Sequence, residues 1–229
     1  EFKPDLLELV PGLGSNQPVS DLMDVPNGFE AQADYTVEAG TDVSGVGTVE
    51  DGFTFVGVEK VEFVLGYTGS EILIRFFVRE DHFKAEKTGS NDNVFEDSCV
   101  EFFFSPEEDG IYYNFEFNGI GTCLLGAGIS RTDRQRAGAE LIDRIRRVSS
   151  MGTDPVPEIK GITEWTLTAA IPFSVLYRHD IRTLEGRTFR ANFYKCGDRL
   201  SVPHYLTWNP VKTERPDFHR PEFFGMIEF

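Results

Sequence analysis

Acidic and amide side chains recur on one face of the segment between residues 97 and 118. Glu101 precedes a turn, and Asn114, Glu116 and Asn118 follow that turn at every second position. Carboxylates accept hydrogen bonds, whereas amides both accept and donate them. A flat array of such groups on a rigid support would suit a polyhydroxylated ligand.

Glu101 and Glu116 also allow a different chemistry, because two carboxyl groups can act as the acid and the base of a glycoside hydrolase. In such enzymes the two groups lie roughly 5–9.5 Å apart, and the separation decides whether configuration is retained or inverted. No separate nucleophile or water-orienting group stands out in the sequence. We therefore favour binding and keep hydrolysis by Glu101 and Glu116 as an alternative.

The segment that holds these groups alternates between polar and apolar residues, which predicts two β-strands with one buried face. Residues 105–110, SPEEDG, supply proline and glycine for a turn between the strands. The apolar face of this hairpin carries Val100, Phe102, Phe104, Tyr113, Phe115 and Phe117. The hairpin should therefore pack its aromatic face into the core and present its polar face outward.

Strand-like runs recur elsewhere in the chain with turn residues between them. They cover residues 61–67, 71–79, 142–148, 163–171, 188–194 and 223–227. No long stretch shows a clean helical stripe, so we predict an all-β, jelly-roll-like antiparallel β-sandwich. We expect a single domain over residues 1–229, with residues 1–30, rich in proline and glycine, as a wrapping N-terminal extension.

The composition excludes several classes of partner. With 22 basic and 38 acidic residues, the net charge is −16, whereas nucleic acids and anionic membranes select for basic surfaces. No apolar run approaches the ~18 residues that a membrane-spanning helix needs. The partners that remain are neutral or cationic ligands.

The three cysteines, Cys99, Cys123 and Cys196, form neither a disulfide framework nor a recognisable zinc spacing. Cys99 and Cys123 could lie on neighbouring strands and form one bridge. We favour the alternative that they are small buried side chains.

Four segments in this order, VFEDSCVEFFFSP, YYNFEFNGIGTCLLG, RANFYKCGD and WNPVKTERPDFHRPEFFG, resemble the carbohydrate-binding family 9-like domains. The resemblance runs from about residue 35 to the C-terminus. It implies an oligo- or polysaccharide as ligand and a periplasmic, outer-surface or secreted location, often in Bacteroidetes. It also implies that a catalytic domain could accompany this one in a larger protein. No signal peptide is visible in the chain.

In family 9 modules two tryptophans sandwich a sugar while polar strand residues bind its hydroxyls. Trp208 matches one tryptophan, and Phe95 is the aromatic nearest to the position of the other; core packing is the alternative for both. The polar residues that we expect to bind carbohydrate are Glu101, Asn114, Glu116, Asn192 and Arg190. We predict a non-catalytic module of this kind, with a structural module that packs on a catalytic neighbour as a further alternative.

The family resemblance also implies calcium ions that brace loops. Asp92 and Asp97 are the candidate ligands, because carboxylate oxygens suit calcium, although no loop with regularly spaced oxygen ligands is present. The histidines form no HxH or HExxH pair. Met226 has no evident histidine partner for haem.

Two charged segments remain ambiguous. The basic residues 131–136 could donate hydrogen bonds to the site, but we favour a solvated loop. Residues 217–222, DFHRPE, could form a rim of the site, but we favour an ion-paired brace.

Overall fold

The computed structural model describes residues 60–229, which form two antiparallel β-sheets. The strands are β1 (Lys60–Tyr67), β2 (Glu71–Ala85), β3 (Cys99–Ser105), β4 (Tyr112–Asn118), β5 (Cys123–Gly128), β6 (Gln135–Arg136), β7 (Arg146–Ser149), β8 (Val156–Pro172), β9 (Thr188–Cys196), β10 (Tyr205–Thr207) and β11 (Gly225–Glu228). A short helix, α1, covers Ala139–Ile142. The predicted extension, residues 1–30, lies outside the described residues.

The two sheets differ in size. One has four strands in the order β1-β2-β8-β7, and the other has seven, along the path β10-β9-β3-β4-β5-β6 with β11 paired to β9. The sheets meet through aromatic side chains: Phe63 of β1 stacks on Phe193 of β9 with ring centroids 3.8 Å apart. The predicted all-β antiparallel sandwich is confirmed.

The predicted central hairpin is β3 and β4. Its register pairs Val100 with Phe117 and Phe102 with Phe115, so the apolar side chains of both strands share one face. All four are fully buried, and each stabilises the fold by roughly 1.5–3 kcal/mol through apolar burial. The turn closes at Gly110, whose φ of +83° lies in the left-handed region that glycine adopts without strain.

The segment predicted as a strand over residues 142–148 is different in the structure. Helix α1 ends at Ile142, and strand β7 begins only at Arg146. Ile142 and Ile145 are both buried in the core. Their spacing of three residues fits a helical turn rather than a strand, because strand neighbours on one face are two residues apart.

A charged cluster lies buried between the sheets. The Lys195 ammonium is 2.9 Å from the carboxylate of Glu80 and 2.6 Å from Nε2 of His204. The indole N–H of Trp165 donates to the same Glu80 carboxyl group at 2.5 Å, and Trp165 is buried in the core. Because Glu80 belongs to β2 and Lys195 to β9, the cluster ties one sheet to the other.

Within residues 60–229, no helix has both the length and the apolar character required to cross a membrane.

Candidate functional site

The carboxyl groups of Glu101 and Glu116 come together on the seven-stranded sheet. The two residues are direct cross-strand partners on β3 and β4, and they are only 3% and 2% exposed. The thiol of Cys196 donates to Glu101 Oε1 at 3.2 Å. Asn114 Nδ2 donates to Glu116 Oε1 at 2.9 Å.

Burial and mutual repulsion change the protonation of this pair. Burial raises the pKa of Glu101 well above its usual range, and the neighbouring charge of Glu116 raises it further. Burial also raises the pKa of Glu116, while the nearby Arg134 guanidinium opposes this shift. The pair therefore titrates as a unit that readily keeps a proton. It can both donate and accept hydrogen bonds, since a protonated carboxyl group gains an O–H donor.

Arg134 connects the carboxyl pair to His219. Its Nη1 lies 3.3 Å from Glu116 Oε1 and 2.9 Å from Nε2 of His219. Because arginine can only donate, His219 Nε2 accepts, and the Nδ1–H of His219 donates to the Tyr112 hydroxyl at 2.8 Å. Burial lowers the pKa of His219 to about 3, with the charge of Arg134 as the next cause, which agrees with a neutral imidazole.

These groups line a cleft with about 590 Å³ of empty space that is partly open to solvent. The cleft is bounded by Phe95, Glu101, Glu116, Arg131, Arg134, Arg136, Cys196, Asp198, Tyr205, Pro216, Asp217, Phe218 and His219. Phe218 stacks on Tyr194 at a centroid distance of 4.2 Å and meets Tyr205 edge-on at 6.2 Å. The cleft thus combines a polar floor with aromatic side chains in its walls.

Three of the residues predicted from the sequence line this cleft, namely Phe95, Glu101 and Glu116. Asn114 lies beneath them, fully buried, and its amide orients Glu116. Its own carboxamide oxygen is packed against the backbone of Gly126, where a Cβ atom would come within 2.8 Å of it. Asn114 therefore supports Glu116 from beneath the cleft and is not exposed to the cleft.

Asn192 and Arg190 lie outside the cleft. The buried amide of Asn192 donates to the carbonyl of Asn209 and accepts from its N–H, both at 2.9 Å. Arg190 is exposed and donates to the carbonyls of Glu222 and Phe224 at 3.3 and 3.4 Å. Both residues hold the C-terminal segment on the sheet, and the structure does not bring them to the cleft.

Trp208 also lies outside the cleft. Thr207 pairs with Tyr194, and Tyr194 pairs with Glu101, so these residues share the cleft face and the next residue, Trp208, points to the other. Its ring packs edge-on against Phe193 at a centroid distance of 5.6 Å. Trp208 therefore packs against the core and does not stand beside the carboxylates.

The carboxylate of Asp97, one of the two candidate calcium ligands, is used inside the protein. Asp97 is fully buried, and its Oδ2 accepts the backbone N–H groups of residues 86–87 at 2.9 and 2.8 Å and Nδ2 of Asn118 at 2.9 Å. Asp92 is exposed and accepts the N–H of Gly89 at 2.8 Å. Both carboxylates brace their own loop, and within residues 60–229 neither joins a cluster of three potential metal ligands.

The three cysteines are free and buried, as favoured from the sequence. Cys123 faces the core opposite Phe117, whereas Cys99 lies on the other face of the same sheet. A bridge between Cys99 and Cys123 would have to pass through the sheet. The cross-strand partner of Cys99 on β9 is Cys196.

Much of the wall of the cleft was not predicted from the sequence. Arg134 and His219 come from the two charged segments that were favoured as a solvated loop and a brace. Tyr205 and Phe218 carried no alternating pattern and were not singled out. The only available signal was the appearance of histidine and phenylalanine within the charged turn at residues 217–222.

Comparisons with known proteins agree with the family resemblance. The family model described as carbohydrate-binding family 9 matches residues 44–229. The crystal structure of a candidate carbohydrate-binding protein from Bacteroides uniformis ATCC 8492 is 39% identical, with a TM-score of 0.74 over 91% of this chain and 89% of that one. A family 9 module from Caldicellulosiruptor kristjanssonii, solved with glucose and with cellotriose, is 11% identical with a TM-score of 0.47. Those two alignments cover 76% of this chain and 78% and 76% of the module.

No curated protein matches the chain. The family match nevertheless spans well over half of the sequence, and the Bacteroides uniformis protein is aligned along nearly the whole length of both chains. The chain belongs to carbohydrate-binding family 9.

Proposed function

We propose that this domain binds a glycan, such as a chain end, in the cleft above Glu101 and Glu116, and that it does not catalyse hydrolysis. The observation that carries the proposal is the juxtaposition of a buried carboxyl pair with aromatic side chains around one open cleft. Membership of a carbohydrate-binding family supports it.

The floor of the cleft suits sugar hydroxyls. A hydroxyl can donate to a carboxylate oxygen of the pair and accept from a protonated partner or from Arg134. Each such bond replaces bonds to water, so it contributes only about 0.5–1.5 kcal/mol, or somewhat more where a charge takes part. We expect several bonds to act together and the affinity to be modest.

The walls suit the apolar side of a sugar ring. Tyr205, Phe218 and Phe95 present aromatic surface to the cleft. Aromatic faces pack against C–H groups, and a tyrosine hydroxyl adds a polar handle. Burial raises the pKa of Tyr205 to about 12, so its hydroxyl remains a neutral donor at physiological pH. In this proposal these residues take the role that the sequence suggested for Trp208.

The location and the partners are part of the same proposal. We infer an exported protein that meets oligo- or polysaccharides outside the cytoplasm. A catalytic domain or a separate glycoside hydrolase would act on the same glycan.

Binding can be tested on a glycan array, followed by affinity electrophoresis with the best glycan. Glu116→Gln and Tyr205→Ala should weaken retention, and Arg182→Ala serves as a control because Arg182 is exposed beside Asp180 and far from the carboxyl pair in sequence and contacts. Retention that is unchanged in both cleft variants would reject the cleft as the site. Turnover of an aryl-glycoside panel that is lost in Glu101→Gln would instead favour the hydrolase alternative.

A further inference from the structure

Two cysteines and a glutamate form a compact cluster in the floor of the seven-stranded sheet. Cys99 and Cys196 stand directly opposite each other on β3 and β9. Glu101 follows Cys99 by two residues, so strand geometry places both side chains on one face. All three are buried, with exposed fractions of 0%, 1% and 3% for Cys99, Cys196 and Glu101.

The distances suit a single small ion. One ligand atom from each of the three residues lies within 4.8 Å of the other two, and Cys196 Sγ is 3.2 Å from Glu101 Oε1. Zinc binds thiolates at about 2.3 Å and carboxylates at about 2.0–2.2 Å in tetrahedral geometry. Those bond lengths separate neighbouring ligand atoms by roughly 3.5–3.8 Å, so only small side-chain movements would be needed.

We propose that Cys99, Cys196 and Glu101 bind a thiophilic divalent cation of the zinc class. The two sulfur ligands select against calcium and magnesium, which take oxygen ligands. The proposal concerns residues other than the calcium candidates Asp92 and Asp97, and it does not depend on the identity of the glycan.

The cluster leaves one coordination position on the cleft side. Cys196 and Glu101 line the cleft, whereas Cys99 lies beneath them. Three protein ligands with a fourth position open to water or a ligand is the arrangement of accessible zinc sites. Glu116, directly opposite Glu101, adds a further carboxyl group beside the cluster.

The test uses the reduced, tag-free chain with Zn²⁺ or Co²⁺ alone. Equilibrium dialysis should find a single zinc ion per chain, and Co²⁺ should produce the ultraviolet charge-transfer band of cobalt–thiolate bonds. Loss of even an outer-shell partner typically weakens metal binding about 10- to 100-fold. We therefore expect Cys99→Ser and Cys196→Ser each to weaken zinc binding by at least about 100-fold, with Glu101→Gln also weakening it.

Cys123→Ser is the matched control, because Cys123 is also buried but faces the core on the opposite side of the sheet. It should bind zinc as the wild type does. Circular dichroism melting checks that each variant is folded. If a serine variant does not fold, the cobalt spectrum of the wild type still tests the proposal. A wild-type spectrum without a cobalt–thiolate band would overturn it.

Two other results would also overturn it. One is equal zinc binding by the wild type and by folded Cys99→Ser and Cys196→Ser variants. The other is a disulfide between Cys99 and Cys196 in the purified protein, seen as a single free thiol after unfolding, together with no zinc binding after reduction.

Discussion

Glu101 and Glu116 face each other across β3 and β4 with both carboxyl groups almost completely buried. Such a pair is costly to ionise, since burial and like charge both oppose it. Arg134 offsets part of this cost at Glu116. The pair is therefore held in a state that favours hydrogen bonding over full charge, which is the property that we assign to the floor of the glycan cleft.

Replacing Arg134 with alanine should weaken glycan binding. The variant loses a donor to Glu116 and leaves Nε2 of His219 without the Arg134 guanidinium. Hydrogen bonds to charged groups contribute about 1.5–3 kcal/mol, so we expect affinity to fall about tenfold or more. Isothermal titration calorimetry with the best array glycan measures this. Arg182→Ala removes the same charge from an exposed position, and an equal loss in that control would contradict a local role for Arg134.

Stability should depend on pH through His219. Burial lowers its folded-state pKa to about 3 from an ordinary value of 6.5. The unfolded chain therefore takes up a proton first, and the contribution of His219 to stability is present above pH 6.5 and is lost as the pH falls towards 3. Through His219, the free energy of unfolding changes by at most about 1.4 kcal/mol per pH unit.

The measurement compares urea unfolding of the wild type and His219→Gln between pH 6.5 and the acid limit of folding. The pKa values of Glu101 and Glu116 are raised, so these residues make the fold more stable as the pH falls, which is opposite to the effect of His219. Their contributions are present in both proteins and cancel in the comparison. The wild type should lose stability faster than the variant as the pH is lowered. Parallel profiles would show that His219 is not buried in its neutral form.

Replacing Lys195 with methionine should destabilise the sandwich. The variant keeps most of the side-chain volume but leaves the Glu80 carboxylate buried without its ammonium partner. Breaking a buried pair in this way costs roughly 3–5 kcal/mol. The midpoint of urea denaturation should fall with little change in its slope. Lys212→Met, at an exposed site, should leave the midpoint nearly unchanged, and equal effects in the two variants would contradict the bridging role of Lys195.

Trp208→Ala should lower stability without removing a glycan contact. The Trp208 ring contacts Phe63 and Phe193, and it is so close to Gly225 that a Cβ atom there would lie 2.5 Å from Cζ3 of the indole. Deleting a packed tryptophan costs about 3–5 kcal/mol when it is fully buried, and somewhat less here. Thermal melting should detect the loss. Glycan affinity measured well below the melting temperature should stay close to that of the wild type. If a folded Trp208→Ala variant no longer bound the glycan, Trp208 would be a binding residue after all.

The sequence could predict those parts of the fold in which polar and apolar residues alternate along a single strand. The faces of β3 and β4 follow directly from their period of two, so Glu101 and Glu116 were assigned together and Phe102 to the core. The same alternation identified residues 188–194 as a strand, which the structure shows as β9. Which residues of a strand share a face is set by the strand itself and does not depend on the rest of the chain.

The failures have a common physical cause, which is long-range register. The face of Trp208 depends on how β10 aligns with β9 after an irregular loop, and no local pattern encodes that alignment. Asn192 lies on the polar face of β9, but the C-terminal segment covers this position, where the Asn192 amide donates to the carbonyl of Asn209. The pairing of Cys99 with Cys196 joins residues 97 positions apart, so their spacing resembles no metal motif.

The proposed position of the glycan, over the carboxyl pair, can be tested by NMR of the isotope-labelled chain, titrated with the strongest-binding glycan from the array. If the glycan lies there, the largest chemical-shift changes will occur at Glu101, Glu116, Arg134, Tyr205 and Phe218. Changes concentrated around Trp208 and Arg190, with the carboxyl pair unaffected, would contradict it.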